Sequence, residues 1–292
     1  MAKIRKFFSD YRVDAHNWIT LTSGEYYPDI LHDACELYKP VLVIFDQIMK
    51  RSETSERLFL GICDFDDGWM RVQLARVFRK YVSPDTPVEL LKKKTQAKTI
   101  CEQFGSRFRR INEVQAAFES RPIPDEALCA VLWEYKDRGK KGYDLTEKFF
   151  HMIKEQLPGF IITGPERAGK DILLGEIFKD YPNPKRPIDF VISKKDNILA
   201  VGLARYDSDR GGAQEDDRTG GYKNCADEIM NYCRDKGMDI KVVFLNDGPG
   251  LLLGSMWSDY SDLETRWDNK IRVVTLRMVS ERLTQSWLEN ME

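Results

Sequence analysis

Apolar side chains recur three and four positions apart through the first 155 residues, as in Leu74, Val77 and Phe78. This spacing places apolar side chains on one face of a helix. Prolines between the apolar segments mark helix ends. Residues 1–155 are therefore predicted to form a mainly helical N-terminal region. Its helices are predicted at 28–50, 66–81, 87–104, 108–119 and 124–138.

The pattern changes near residue 160 to short apolar runs that alternate with helical segments. The runs 188–193 and 198–206 are separated by a short polar turn, which predicts an antiparallel hairpin. Residues 156–292 are therefore expected to form an α/β region, a mixed sheet flanked by helices. Its other predicted elements are a strand at 160–163, helices at 171–179 and 222–236, and strands at 240–246 and 271–276.

The composition is that of a globular protein. Hydrophobic residues make up 42% of the 292 residues and charged residues 32%, with a net charge of -2, which argues against a disordered or collagen-like chain. No apolar run approaches the roughly 20 residues that a membrane-spanning helix needs. The charged N-terminus is not followed by an apolar segment of the kind found in secretion signals. We therefore expect a cytoplasmic protein.

Cysteine and histidine patterns narrow the chemistry further. The six cysteines are dispersed and form no CxxC pair, and the three histidines are far apart in sequence. A zinc site or a Cys/His hydrolase is difficult to build from them. Catalysis would depend on carboxylates, Lys, Arg and a divalent metal.

Positive charge is concentrated between residues 76 and 110. This window holds ten Lys or Arg and three acids, Asp85, Glu89 and Glu102, which gives it a net charge of +7. Its centre is the run Lys92, Lys93 and Lys94. Such a surplus is typical of a phosphate-binding surface, and the alternative is a solvated helix face.

The segment GPERAGKD, residues 164–171, nearly matches the phosphate-binding P-loop GxxxxGK[ST]. Asp171 stands where a hydroxyl would contact magnesium, and a carboxylate there would repel nucleotide phosphates. A P-loop NTPase is thus a minor alternative. Arg167 and Lys170 remain candidate phosphate contacts beside the start of a helix.

The hairpin offers the strongest candidate site. If Asp189 lies opposite Leu203, then Arg205 and Asp207 share its face of the sheet. Carboxylates on neighbouring strands can hold Mg²⁺, and a cation beside them can stabilise charge on a phosphate. Asp189 and Asp207 are therefore the candidate metal ligands, with Arg205 as the phosphate-facing cation.

Two further features support this site. The segment 204–222 combines five acids, three arginines and four glycines, a density that a plain polar loop does not require. Arg210 within it is a candidate phosphate contact. Glu176 falls near the apolar stripe of the predicted helix 171–179, so it is a candidate catalytic carboxylate, and an exposed Glu is the alternative.

The order of these features resembles the PD-(D/E)XK nuclease core of type II restriction endonucleases. The resemblance covers residues 164–276: a helix with a Glu, the strand IDFVI, a second strand that enters a charged loop, a helix, and the strand FLNDG. The details Gly211-Gly212, Asp217 and Tyr222 are similar to the DpnII/MboI group.

One position departs from that pattern. The superfamily's second strand ends in an acid, any residue, then Lys, whereas this chain reads Leu203-Ala204-Arg205. Either the acid is supplied by Asp207, Asp209 or Glu176, with Arg205 in place of the Lys, or the chain does not cut. Arg stays protonated at working pH and cannot act as a base.

The resemblance implies a Mg²⁺-dependent, site-specific deoxyribonuclease that cuts double-stranded DNA as part of a restriction-modification system. The helical N-terminal region would then bind or read DNA, or dimerise. A homodimer is expected because two-fold protein symmetry matches a palindromic site. The alternatives are a DNA-binding protein that does not cut and, less favoured, the P-loop NTPase.

Overall fold

The computed structural model describes residues 6–21, 24–87, 94–136, 140–166, 169–208 and 213–291. It forms two compact units, one of residues 24–138 and the other of residues 1–23 together with 139–292. Each unit has its own hydrophobic core. The helical unit is thus an insertion between the first residues and the rest of the other unit, which we call the sheet unit.

Six α-helices are found in the described part of the helical unit. Helix α1 contains Pro40 and is amphipathic, and side-chain caps from Thr54, Asp67 and Asp125 start α2, α3 and α6. Tilted and edge-on aromatic pairs, such as Phe59 with Phe78 at 5.1 Å, fill the core. The helices are α1 Ile30–Lys50, α2 Ser55–Cys63, α3 Gly68–Tyr81, α4 Ala97–Phe104, α5 Ile111–Glu119 and α6 Glu126–Trp133.

The sheet unit contains one five-stranded mixed sheet flanked by helices, which confirms the expected α/β class. The sheet order is β1-β4-β5-β6-β7, and a separate two-stranded ladder joins β2 to β3. Strands β1, β4 and β5 are antiparallel neighbours, whereas β5, β6 and β7 are parallel. The strands are β1 Phe160–Thr163, β2 Ile172–Leu173, β3 Pro187–Ile188, β4 Phe190–Lys194, β5 Asn197–Tyr206, β6 Lys241–Asp247 and β7 Ile271–Val274.

Helices cover this sheet and connect its parallel strands. Helix α9 links β5 to β6, as a parallel pair requires. Helix α7 precedes β1, and its Phe149 packs against Phe190 of β4 at 4.9 Å. The helices are α7 Lys140–Gln156, α8 Leu174–Ile177, α9 Ala213–Asp235, α10 Met256–Thr265, α11 Val279–Arg282 and α12 Gln285–Leu288.

The first described residues belong to the sheet unit and form a 3₁₀ helix, Phe8–Asn17. Phe8 is fully buried and stacks on Trp257 at 4.3 Å. Its backbone N–H donates to Oε2 of Glu264 at 2.5 Å, and Oε1 of Glu264 pairs with Arg282. The division therefore differs from the predicted boundary at residues 155 and 156, because the N-terminal residues and α7 both pack into the core of the sheet unit.

The hairpin prediction is confirmed. Phe190 pairs with Gly202 and Lys194 with Asn197, with a register shift between Ile192 and Ser193. The prediction of one helix over 171–179 is wrong. Residues 172–173 instead pair with β3, and only the single turn α8 follows. Backbone hydrogen bonds from Leu174 and Gly175 to the 184–186 segment hold this arrangement.

No helix among the described residues is long and apolar enough to cross a lipid bilayer.

Candidate active site

Asp189 lies between β3 and β4, where the chain passes from the small ladder to the main sheet. Its backbone N–H donates to the Gly202 carbonyl at 3.0 Å, and its Oδ2 accepts the Ala204 N–H at 2.7 Å. Among the described residues, no other hydrogen bond reaches this carboxylate. Its Oδ1 is therefore available to a ligand.

Asp171 lies next to Asp189 because of the small ladder. Ile172 pairs with Ile188 in that antiparallel ladder, so the next position on each strand brings Asp171 opposite Asp189. Burial raises the pKa of Asp189, the Ala204 hydrogen bond lowers it, and the charge of Asp171 raises it. A cation bound beside Asp189 would stabilise the charge that burial and Asp171 disfavour.

Gly164 allows the end of β1 to approach Asp189 closely. A Cβ at this position would lie 2.3 Å from the Asp189 carbonyl oxygen and 3.0 Å from the Phe150 ring. A side chain cannot be accommodated there without a backbone shift. The glycine of the GPERAGKD segment therefore serves the packing around Asp189.

This geometry also differs from that of a P-loop. A P-loop places a helix directly after its Lys, so that backbone N–H groups surround the phosphates. Here the residues after Lys170 and Asp171 enter the strand β2 instead. The segment does not provide the helix terminus that nucleotide binding needs.

Arg205 occupies the same face of the sheet as Asp189. The register Phe190–Gly202 places Asp189 opposite Leu203, and Arg205 follows two residues later on β5. Arg205 Nε donates to Oδ1 of Asp207 at 2.9 Å, and its guanidinium is hydrogen-bonded to Tyr222 of α9. Burial disfavours its charge, but Tyr222 and Asp207 outweigh this effect and raise the pKa of Arg205 above its ordinary value.

Tyr222 of α9 is influenced electrostatically by Arg205 and by both carboxylates of this face. Burial raises its pKa to about 12, Arg205 opposes the rise, and the charges of Asp189 and Asp207 add to it. Its ring packs against Phe244 of β6 at 5.2 Å between centroids. The phenol therefore stays protonated near neutral pH and can donate a hydrogen bond.

Asp207 is buried at the end of β5 and is tied to Arg205. Its backbone N–H donates to the Asp247 carbonyl at 2.8 Å, and its carbonyl accepts the Gly250 N–H at 2.9 Å. Gly248 has φ +109°, and a Cβ there would lie 2.2 Å from the Asp207 carbonyl oxygen. The loop after β6 thus packs directly on Asp207.

The prediction that Asp189 and Asp207 bind the same metal ion does not agree with this geometry. Asp207 is four positions after Leu203, which faces Asp189, and this corresponds to roughly 13 Å along a strand. The Asp207 carboxylate is turned toward Arg205 and is 3% exposed as a residue. Asp207 is placed to orient Arg205, and Asp171 is the carboxylate placed beside Asp189.

Glu176 lies apart from this cluster. The prediction of an inward-facing Glu176 is wrong: its side chain is exposed on α8, pairs with Lys170 at 2.7 Å, and accepts the Leu173 N–H. The pKa of Glu176 is lowered, chiefly by the hydrogen bond from Lys170. These two predicted site residues therefore neutralise each other at the surface.

Four of the predicted phosphate contacts lie outside the described residues: Arg167, Arg210, Lys92 and Lys93. A fifth, Lys94, is the first residue of a short 3₁₀ helix, Lys94–Gln96.

Asp247 and Asn246 of β6 were not among the predicted site residues. Asp247 is fully buried, and its carboxylate accepts the N–H groups of Thr20, Gly248 and Leu276 at 2.7–2.9 Å. Burial raises the pKa of Asp247, and these hydrogen bonds partly offset that rise. Asn246 pairs with Arg205 across β5 and β6. The polar end of the otherwise apolar strand KVVFLND was the sequence signal that could have found both.

A divalent cation fits the donor set beside Asp189. Mg²⁺ prefers carboxylate oxygens, usually one or two from the protein together with water. Asp189 and Asp171 supply two carboxylates at opposed positions, and Asp189 Oδ1 makes no hydrogen bond within the described residues. A different group on α1, His32, Asp33 and Glu36, also has side chains close enough to share an ion, but all three are exposed.

No model of a known protein family matches the chain, and no solved structure matches it.

Proposed function

We propose that the protein is a Mg²⁺-dependent, site-specific endonuclease that hydrolyses phosphodiester bonds of double-stranded DNA. The observation that carries the proposal is that Asp189 and Arg205 lie on one face of the β4–β5 hairpin. Arg205 is two positions along β5 from Leu203, the residue opposite Asp189. A carboxylate that can hold a metal beside a permanently charged guanidinium suits a phosphodiester substrate.

The order of elements supports the same proposal. Helix α7, the antiparallel strands β1, β4 and β5, the crossover helix α9 and the parallel strand β6 follow one another along the chain. The part of this order from β4 to β6 is the part on which the resemblance to the PD-(D/E)XK nuclease core rests. The Glu-bearing helix predicted at 171–179, which belonged to the same pattern, is replaced by β2 and the single turn α8. Asp189 lies immediately before β4, the middle antiparallel strand, where that resemblance requires an acid.

Each side chain has a distinct task in this proposal. Asp189 and Asp171 hold Mg²⁺, which when bound supplies an activated water and stabilises negative charge on the phosphate. Arg205 donates to the phosphate oxygens, and its charge persists at any working pH. Asp207 and Tyr222 fix the direction of the guanidinium, so that little ordering is needed when DNA binds.

Leu203 is the observation that favours a second candidate, a DNA-binding protein that does not cut. It lies opposite Asp189, at the position where the nuclease pattern has an acid. In that case the site would retain its attraction for phosphate but hold a metal too weakly for hydrolysis. Asp171 is the residue that distinguishes the candidates, because it replaces the missing acid only in the nuclease.

Double-stranded DNA and a second copy of the chain are the proposed partners. A palindromic DNA site presents two equivalent scissile bonds, which a two-fold symmetric dimer would engage together. A role in a restriction-modification system follows from the same resemblance and is proposed with it.

The decisive experiment compares Asp189→Asn with the wild-type chain on unmethylated phage DNA, in MgCl₂ and in EDTA. We expect discrete wild-type fragments in Mg²⁺ alone, and a loss of cleavage of at least about 100-fold in the variant, because a metal ligand is removed. DNA binding, measured by gel shift in EDTA, should stay within a few-fold of wild type. Asp171→Asn should reproduce this loss.

Asp196→Asn is the matched control. Asp196 is an exposed aspartate at the turn of the same hairpin, at the opposite end from Asp189, and its replacement should leave cleavage unchanged. Wild-type cleavage by Asp189→Asn would overturn the proposal. Intact DNA with wild-type protein in Mg²⁺, together with a gel shift, would instead establish the non-cutting DNA-binding protein.

A further inference from the structure

The helical unit contains a cavity of about 270 Å³ that lies between the end of α3 and helix α4. This is just below the roughly 300 Å³ at which small-molecule pockets usually begin, so it suits one small ring system. Its walls combine apolar surface with hydroxyl, carboxylate and guanidinium groups. They are formed by Ser83, Pro84, Asp85, Thr86, Pro87, Ile100, Phe104 and Arg107.

One wall is a turn that the protein holds in place. Ser83 N–H donates to the Phe78 carbonyl, and Thr86 N–H donates to the Ser83 carbonyl, both at 3.3 Å. Arg79 Nε donates to the Pro84 carbonyl at 2.8 Å. The cavity is therefore formed before any ligand arrives, which lowers the cost of binding.

The cavity lining also includes an aromatic ring, that of Phe104. Phe104 ends α4 and is 43% exposed, whereas Ile100, one turn earlier, is buried in the core. An exposed phenylalanine at the edge of a cavity is a surface on which a planar heterocycle can stack. The buried Ile100 holds the helix that carries this ring.

Polar groups around the ring can bind the edge of such a heterocycle. Thr86 is 3% exposed, and its Oγ1 has no hydrogen-bond partner among the described residues. Asp85 can accept from an exocyclic amino group, and Ser83 can donate or accept. Hydroxyl and carboxylate groups beside an aromatic wall are the means by which proteins recognise a nucleobase outside the helical stack.

The charge around the cavity favours a ligand that carries phosphate. Arg107 lines the cavity and is exposed, and it forms no ion pair within the part of the chain that the structure describes. The window 76–110 carries a net charge of +7. A phosphate beside a bound base could therefore pair with the guanidinium of Arg107, which lines the cavity together with Asp85.

We propose that this cavity binds a single nucleobase of the DNA that the protein engages, rotated out of the base stack onto Phe104. Thr86 and Asp85 contact the base edge, and Arg107 contacts an adjacent phosphate. The inference rests on the proposed function only in taking DNA as the ligand. It needs neither cleavage nor a metal.

Ultraviolet crosslinking of the full chain to a randomised-sequence DNA duplex in EDTA tests this proposal. Trypsin releases residues 99–107 as one peptide, which contains Phe104 and ends at Arg107. We expect this peptide to carry a nucleotide adduct in the wild-type chain. The adduct should disappear in Phe104→Ala, with DNA affinity about tenfold weaker because one stacked base is lost.

Trp69→Ala is the matched control, since Trp69 is 44% exposed in the same unit and does not line the cavity. It should retain both the adduct and the affinity, and Phe104→Tyr should do so as well. An adduct absent from residues 99–107 of the wild-type chain, or equal affinity of Phe104→Ala and Trp69→Ala, would overturn the proposal. Cleavage without this adduct contradicts the base-binding cavity alone, and an adduct without cleavage contradicts the nuclease alone.

Discussion

Asn246 is the residue whose position is hardest to explain by packing alone. It is 1% exposed on β6 beside Arg205, and neither its Oδ1 nor its Nδ2 has a hydrogen-bond partner among the described residues. A buried polar group without a partner costs about 1–3 kcal/mol of stability. Asn246 is paired with Arg205, the candidate phosphate-binding cation, so the destabilising amide lies within the candidate site.

Replacing Asn246 with leucine, which has nearly the same shape, should stabilise the protein. We expect Asn246→Leu to raise the free energy of unfolding by about 1 kcal/mol, because the uncompensated amide is removed and apolar contact is gained. Urea denaturation should show a higher midpoint with an unchanged slope. The same exchange at the exposed Asn197 should change stability by less than about 0.5 kcal/mol. A lower midpoint for Asn246→Leu would show that the amide is satisfied.

Only the part of the candidate site that follows from strand alternation could be predicted from the sequence. The β4–β5 hairpin and the alternation of side chains along β5 could be predicted, but the short turn does not fix the register at Asp189. The pairing of Lys194 with Asn197, continued without a break, would place Asp189 opposite Gly202, and the register shift between Ile192 and Ser193 moves it opposite Leu203. The position of Asp171 could not be predicted either, because it depends on the two-residue ladder of β2 and β3, which joins residues 14 and 16 positions apart. The pairing of Asp207 with Arg205 likewise depends on the loop after β6.

At the scale of elements, the β4–β5 hairpin depends on one close approach. Gly202 lies under the buried ring of Phe190, and a Cβ at Gly202 would come within 2.1 Å of that ring. The ring also packs against Phe149 of α7. The ring of Phe190 therefore packs the β4–β5 hairpin against α7, and this packing requires a glycine at position 202.

Gly202→Ala should destabilise the sheet unit by about 1–3 kcal/mol, because the added methyl group overpacks the core. Combining it with Phe190→Leu should cost less than the sum of the two single changes, since the smaller side chain makes room for the methyl group. Thermal or urea unfolding of the four proteins measures this coupling.

Gly221→Ala in α9 is the control, because nothing lies within 4 Å of a Cβ there. It should stabilise the protein by about 0.5–1 kcal/mol through helix propensity. Additive effects of Gly202→Ala and Phe190→Leu would contradict the proposed contact.

Hydrophobic periodicity located α1 and α3 well, but it missed the first nine residues of α9, which were assigned to a polar loop, and several short elements. Helices α1 and α3 match the predicted 28–50 and 66–81, because long amphipathic repeats are set by local sequence. The nine-residue α2 was not predicted. The segment 171–179 was assigned to a helix because its apolar spacing suits one, yet strand pairing with β3 prevailed over that local preference.

At the scale of the whole molecule, the sheet unit is built from two separate parts of the chain. Phe8, Tyr11 and Ala15 of the N-terminal 3₁₀ helix belong to the same core as the sheet, and the helical unit has a separate core. Hydrophobic periodicity could not predict this packing, because the sequence of residues 8–17 does not indicate that they contact residues more than 240 positions away. The expected boundary was therefore set by helix content instead of by packing.

Phe8→Ala should weaken the sheet unit and leave the helical unit unchanged. Loss of a fully buried phenylalanine costs about 3–5 kcal/mol. Hydrogen exchange read by mass spectrometry should show faster exchange in residues 145–290 and unchanged exchange in residues 30–133. Val13→Ala, at a position 93% exposed on the same 3₁₀ helix, should change neither. Faster exchange confined to residues 30–133 would contradict the assignment of Phe8 to the sheet unit.

The docking of Phe8 also sets an order of events at the ribosome. Residues 24–138 form a continuous unit and can fold as soon as they emerge, as domains generally do during synthesis. The N-terminal segment emerges first but cannot dock until Trp257, Glu264 and Arg282 have been made. A ribosome that stalls before these residues would present a folded helical insert on a chain whose sheet unit still lacks the partners of its N-terminal segment.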